Sequence, residues 1–135
     1  LWLGLNKLPR LDAESAAFVE RAVRLRRRIQ PAVAEAVFLD RDGIASVSPG
    51  AEASVWLRPD GTGGMIVVAD DSAAERAAVE LNDELSAAVR GAGRLVRLTL
   101  GNAEAGEEAP AGAGGAVRLE AADFITVYAW GSCAG

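Results

Sequence analysis

Asp40-Arg41-Asp42-Gly43 is the stretch best equipped for chemistry. Two carboxylates stand one residue apart, directly after the apolar run Val37-Phe38-Leu39. Read as a calcium loop, the segment needs further oxygen ligands and an acid at its twelfth position, which is Ala51. Read as a turn, DRDG needs nothing more: it is polar, with glycine where positive φ is required. The chain has no histidine, which removes the commonest general base and the commonest metal ligand. Its serines therefore cannot form a Ser-His-Asp triad within the chain. Gly61-x-Gly63-Gly64 precedes a strand instead of opening a helix, so it is no dinucleotide fingerprint. Cys133 is the single cysteine and lies in what reads as a frayed tail over 131–135. Trp2, Trp56 and Trp130 could stack on pyranose rings, or pack against a helix or a neighbouring domain. On these grounds no catalytic residue, metal ligand or cofactor is assigned.

The run Val37–Gly43 resembles the first motif of the haloacid-dehalogenase phosphatases, a hydrophobic strand followed by Asp-x-Asp-Gly. That resemblance implies Asp40 as nucleophile, Asp42 as the group handling the leaving-group proton, and magnesium between them. Asp70-Asp71, after the apolar run 65–69, looks like that family's later acidic motif. About thirty residues separate the two, too few for the intervening layers of a doubly wound sheet. No lysine follows Lys7, and Ile44 stands where the family has Thr or Val.

The elements that would position such groups are organised around residues 54–70, SVWLRPDGTGGMIVVAD. An alternating strand, a Pro/Asp/Gly turn and a second strand apolar on both faces make a hairpin. A strand apolar on both faces must be covered on both. Upstream, Asp12 is a good N-cap, and Phe18, Ala22, Leu25 and Ile29 fall on one helical face. The spacing predicts a helix over 12–29, with room for a further turn through Ala36; Pro31 halts or kinks it. Its other face carries Glu20, Arg21, Arg24, Arg27 and Arg28, a solvated face with no interleaved aromatics. Short strands broken by turn residues follow, a pattern of β-sandwiches. Residues 72–90 fit two readings. As a helix, Ser72 and Glu75 form a capping box; as a strand, 76–81 alternates and 82–90 is a loop. Residues 94–100 form a strand, 101–115 a long Gly/Ala/Glu/Pro loop, and 116–120 and 124–130 the closing strands.

The 135 residues suffice for one domain with a real core, and half of them are apolar. The net charge of −5 argues against nucleic acid or an anionic membrane as partner. No apolar run approaches a membrane span. Leu1 is not a methionine and no basic region precedes LWLGL, so residue 1 reads as a cut in a longer chain. The compartment stays open between cytoplasm and exterior.

Taken in order, WLGLNKLP, a helix ending LRRRIQP, then SVWLR, MIVVAD, RLVRLTLG and VRLEAADFITVYAW resemble the C-terminal end of a (β/α)8-barrel glycoside hydrolase of the α-galactosidase-like kind. The resemblance implies a mainly β fold, an antiparallel β-sandwich preceded by one long amphipathic helix. Residues 1–35 would finish the barrel and supply the linker helix; residues 36–135 would be the sandwich. It implies strand plus loop for 76–90, with MIVVAD and RLVRLTL as antiparallel neighbours. The catalytic carboxylates of such enzymes sit on barrel strands, so none is carried by this chain. The implied function is that of a non-catalytic accessory domain, with the upstream barrel as partner and carbohydrate as a second. The alternatives are a free-standing carbohydrate-binding or interaction module, which needs exposed tryptophans, and a phosphatase-like domain around Asp40 and Asp42, which needs a parallel sheet.

Overall fold

The computed structural model describes residues 13–70, 77–112, 114–122 and 124–134. The chain begins with α1 (Ala13–Glu35). Asp12, the expected N-cap, lies outside the described residues. The helix runs through Pro31 to Glu35, taking the further turn for which the spacing left room. A proline inside a helix costs one backbone hydrogen bond and crowds the preceding turn. Here Ile29, Ala32 and Val33 pack against the sheet on both sides of Pro31, and that packing holds the last turn in place. Arg21, Arg24 and Arg27 point to solvent, and Arg24 bonds Glu20 at 2.6 Å.

Among the described residues nine strands follow: β1 (Val37–Asp40), β2 (Ile44–Val47), β3 (Ala51–Leu57), β4 (Gly63–Asp70), β5 (Ala78–Leu81), β6 (Leu95–Thr99), β7 (Asn102–Glu108), β8 (Arg118–Glu120) and β9 (Ile125–Gly131). They build a six-stranded sheet in the order β1-β3-β4-β9-β6-β7 and a three-stranded sheet in the order β2-β5-β8. Every pairing is antiparallel. The fold is therefore mainly β, two antiparallel sheets preceded by one long helix, as the sequence led us to expect.

The hairpin forms as predicted, with Leu57 opposite Gly64 and Ala51 opposite Asp70. β4 then pairs with β9 along its other edge, so it is central. Alternation sends Met65 and Val67 to one face and Ile66 and Val68 to the other. Ile66 and Val68 enter a core shared with Val79 and Leu81 of β5 and Leu119 of β8. Met65 enters a second core shared with Ala22 and Leu25 of α1. β9 splits the same way: Tyr128 and Trp130 face the small sheet, Val127 and Ala129 face α1. The order of layers is thus helix, large sheet, small sheet.

Four expectations are corrected. Residues 82–90 are not a loop: α2 spans Asp83–Gly91, with the Asn82 side chain accepting from Leu85 N at 2.9 Å. The helical periodicity over this region was real, but the cap is Asn82, after a strand, and Leu85 and Val89 bury against the small sheet. Ser72 and Glu75 lie outside the described residues. The expected loop over 101–115 contains β7, an edge strand tied to β6 by Arg97–Glu107 at 2.5 Å and to the residue before it by Arg94–Glu108 at 3.1 Å. β4 and β6 are not neighbours, because β9 lies between them. Residues 131–134 are not frayed: Cys133 and Ala134 are buried, and Ser132 N donates to Thr62 O at 2.9 Å. Gly131 makes this possible at φ 62, where an added Cβ would sit 2.1 Å from Thr62 O.

Ile66→Ala should cost about 2–5 kcal/mol in denaturant unfolding, because Ile66 is fully buried between layers. Asn82→Ala should cost about 0.5–2 kcal/mol through loss of the α2 cap.

Candidate functional site

Asp40 and Asp42 occupy the crossover between the two sheets. Asp42 N donates to Leu39 O and Ile44 N to Arg41 O, both at 3.0 Å, so DRDG is a tight turn from β1 into β2. Asp40 takes a positive φ of 54, a conformation aspartate tolerates better than most residues. Gly43, at φ 97, lets α2 approach: a Cβ there would stand 2.7 Å from Leu85 Cδ2. Both carboxylates are exposed. Asp42 borders a 300 Å³ hollow with Asn82 and Glu84, and Asp40 does not. Asp70 lies on the far side of β3, opposite Ala51, whereas Asp40 is opposite Val55. Four residues of strand, about 13 Å, separate those two positions along β3. The Asp70 carboxylate accepts from Ala77 N at 3.3 Å. Among the described residues no three His, Cys, Asp or Glu side chains converge as a metal site. The parallel sheet needed by the phosphatase alternative is not what these strands form.

Trp56 and Trp130 do not form one platform, because they lie on opposite faces of the large sheet. Trp130 is 2% exposed and faces the core between the sheets, where Gly64 makes room for its indole. Trp56 lies on the opposite face of the large sheet, with the Phe38 ring 4.7 Å away. Trp2 lies outside the described residues.

Trp56 instead walls a cleft of about 430 Å³ between α1 and the large sheet. Ile29 and Val33 line it from the helix, Val67 and Ile125 from the strands. Among the described residues Arg26, Gln30 and Ser54 line it with polar side chains, beside the indole of Trp56. The volume falls within the roughly 300–1,000 Å³ of small-molecule sites. A sugar, however, presents a hydroxyl on nearly every ring carbon, and an unpaired buried hydroxyl costs about 1–3 kcal/mol. This lining suits apolar groups. The sequence carried no local signal for it, because it arises from where α1 sits on the sheet.

A second cluster joins the hairpin turn to the C-terminal residues. Thr62 Oγ1 donates to Asp60 Oδ1 at 2.7 Å, and Thr62 N donates to the same oxygen at 3.0 Å. With that hydrogen committed, Ser132 Oγ is the donor to Thr62 Oγ1 across 2.8 Å. The Thr62 hydrogen bonds hold the Asp60 carboxyl below the usual carboxylate range. Arg58 pairs with Glu35 at the end of α1. Burial pushes the Cys133 thiol up, against the opposing pull of Arg58 and Ser132. The cluster thus gathers a serine, a threonine and a cysteine beside a carboxylate already committed to Thr62. It fastens the turn; it does not activate a nucleophile.

Asp60 has a depressed folded-state pKa, so its contribution is complete above the unfolded value of about 3.9 and fades as pH falls through the folded one. The Tm difference between wild type and Asp60→Ala should be largest near neutrality and shrink below about pH 4. Cys133 should alkylate at pH 8 at least about tenfold slower in the folded chain than in denaturant, since the thiolate is the reactive form. No protein-family model matches the chain, and comparison with curated proteins and with solved structures finds no match.

Proposed function

We propose that residues 36–135 are the non-catalytic C-terminal β-sandwich of a carbohydrate-active glycoside hydrolase, packing on and supporting a catalytic barrel that precedes α1. The observation carrying this reading is the succession of a 23-residue amphipathic helix and a mainly antiparallel two-sheet domain. It is the order of elements that the sequence resemblance implies. In this role the chain needs no nucleophile of its own, and the acid pair Asp40/Asp42 serves as a layer-crossing turn. Burial of Trp130 speaks against the alternative of a free carbohydrate-binding platform.

The test begins with the reading frame upstream of Leu1, which should encode several hundred residues of alternating strands and helices. The full polypeptide should hydrolyse aryl glycosides, and Asp40→Asn and Asp42→Asn should leave kcat/KM unchanged. A frame that opens at Leu1, or a magnesium-dependent phosphatase activity abolished by Asp40→Asn, would sink the proposal.

A further inference from the structure

The ladder between β4 and β9 ends at Gly131, opposite Gly63. Residues 132–134 then turn toward the helix side of the large sheet, where Cys133 and Ala134 join the core of Ala22, Leu25 and Met65. The turn is shaped by Cys133 N to Trp130 O at 3.3 Å and Ala134 N to Gly131 O at 3.1 Å. Gly131 is its pivot, at a φ of 62 that a residue with a Cβ rarely adopts. Other elements fasten the segment on both sides. Ser132 bonds the β3–β4 turn through its N, to Thr62 O at 2.9 Å, and through its Oγ, to Thr62 Oγ1 at 2.8 Å. From α1, Arg28 donates to Ala134 O at 3.3 Å. Arg58, just beyond β3, pairs with Glu35 at the end of α1 and also pulls on the Cys133 thiol.

We propose that residues 131–134 are a latch that closes α1 onto the large sheet: they open as one unit while the strands stay folded, and α1 loosens when they do. The latch is independent of the glycosidase reading. Its ease of opening follows from its size. The segment buries one thiol-bearing side chain and one methyl group, far less apolar surface than α1 or β4, and the free energy of a local opening follows what it exposes. Thr62 and the Asp60 carboxylate it bonds are exposed, so water competes for the fastening on that side. The coupling to α1 follows from what opening removes. The core of Ala22 and Leu25 loses Cys133 and Ala134, and Arg28 loses its acceptor, whereas β9 keeps its ladders to β4 and β6.

Iodoacetamide reads the opening, because the Cys133 thiolate displaces iodide only when it is exposed. In the full polypeptide, with the Cys133 peptide followed by mass spectrometry, the alkylation rate should be nearly flat in low urea. It should steepen only near the unfolding transition, since a small opening exposes little surface. This part of the test needs no variant. Ser132→Ala and Arg28→Met should each raise the rate about two- to tenfold, the worth of one hydrogen bond. In both variants the amides of 28–35 should exchange with deuterium faster, while those of 126–129 keep the wild-type rate. A wild-type rate that climbs from zero urea with the full slope of global unfolding would overturn the proposal, since the segment would have no opening of its own. Faster exchange at 126–129 as well would do the same. Variants that speed alkylation and leave 28–35 unchanged reduce the segment to a passive cap, and variants that change neither remove the fastening; each result sinks the latch.

Discussion

β4 is the constraint on which the other layers depend. Its side chains Met65, Ile66 and Val68 are at most 1% exposed, and they point to opposite faces. Each such side chain contributes about 1.5–3 kcal/mol when removed from water. Leaving either face bare forfeits a sizeable part of the roughly 5–15 kcal/mol by which a domain is stable. β3 and β9 satisfy the backbone of β4, and neither can cover its faces. The chain therefore needs a layer above and a layer below. α1 is one, and the small sheet with α2 is the other.

What holds α1 in place follows from comparing magnitudes. Arg58–Glu35 and Arg28 to the Ala134 carbonyl (3.3 Å) link the helix to the hairpin turn and the C-terminal residues. The Glu35 side chain is 62% exposed, and ion pairs in water are worth about 0–1 kcal/mol. Ala22 and Leu25, at 5% and 3% exposure, outweigh them. Burial decides where the helix lies, and the polar contacts fix its direction.

Periodicity made α1, the β3–β4 hairpin, β6 and β9 legible in the sequence, because each has an apolar pattern tied to one known face. Of the two readings at Pro31, a stop or a further turn through Ala36, the second holds, since tertiary packing on both sides of the proline outweighs a local break. β7 was hidden because Gly, Ala and Glu read as loop. As an edge strand it buries Ala103, and it is held by Glu107, paired to Arg97 of β6, and by Glu108, paired to Arg94 just before β6. Residues 82–90 show a subtler failure. The strand expected within 76–81 forms as β5 from Ala78, and the helical signal, which spread over the whole stretch, holds only after Asn82, where a loop was expected.

The chemistry-bearing residues were legible as types but not as roles. DRDG is a sharp string, yet a chain that must pass from one sheet to the other needs a turn, and Asp and Gly are what such a turn takes. Trp130 was a candidate stacking surface until β9 proved central, which leaves it no face in water. The cleft beside Trp56 had no sequence signature at all. It exists because one helix cannot span six strands about 4.8 Å apart, so a sheet wide enough to bury β4 on both sides is wider than its helical cover. Among the described residues, the same geometry that secures the core leaves Trp56 and Val67 lining the cleft beside α1, with Phe38 half-exposed against Trp56.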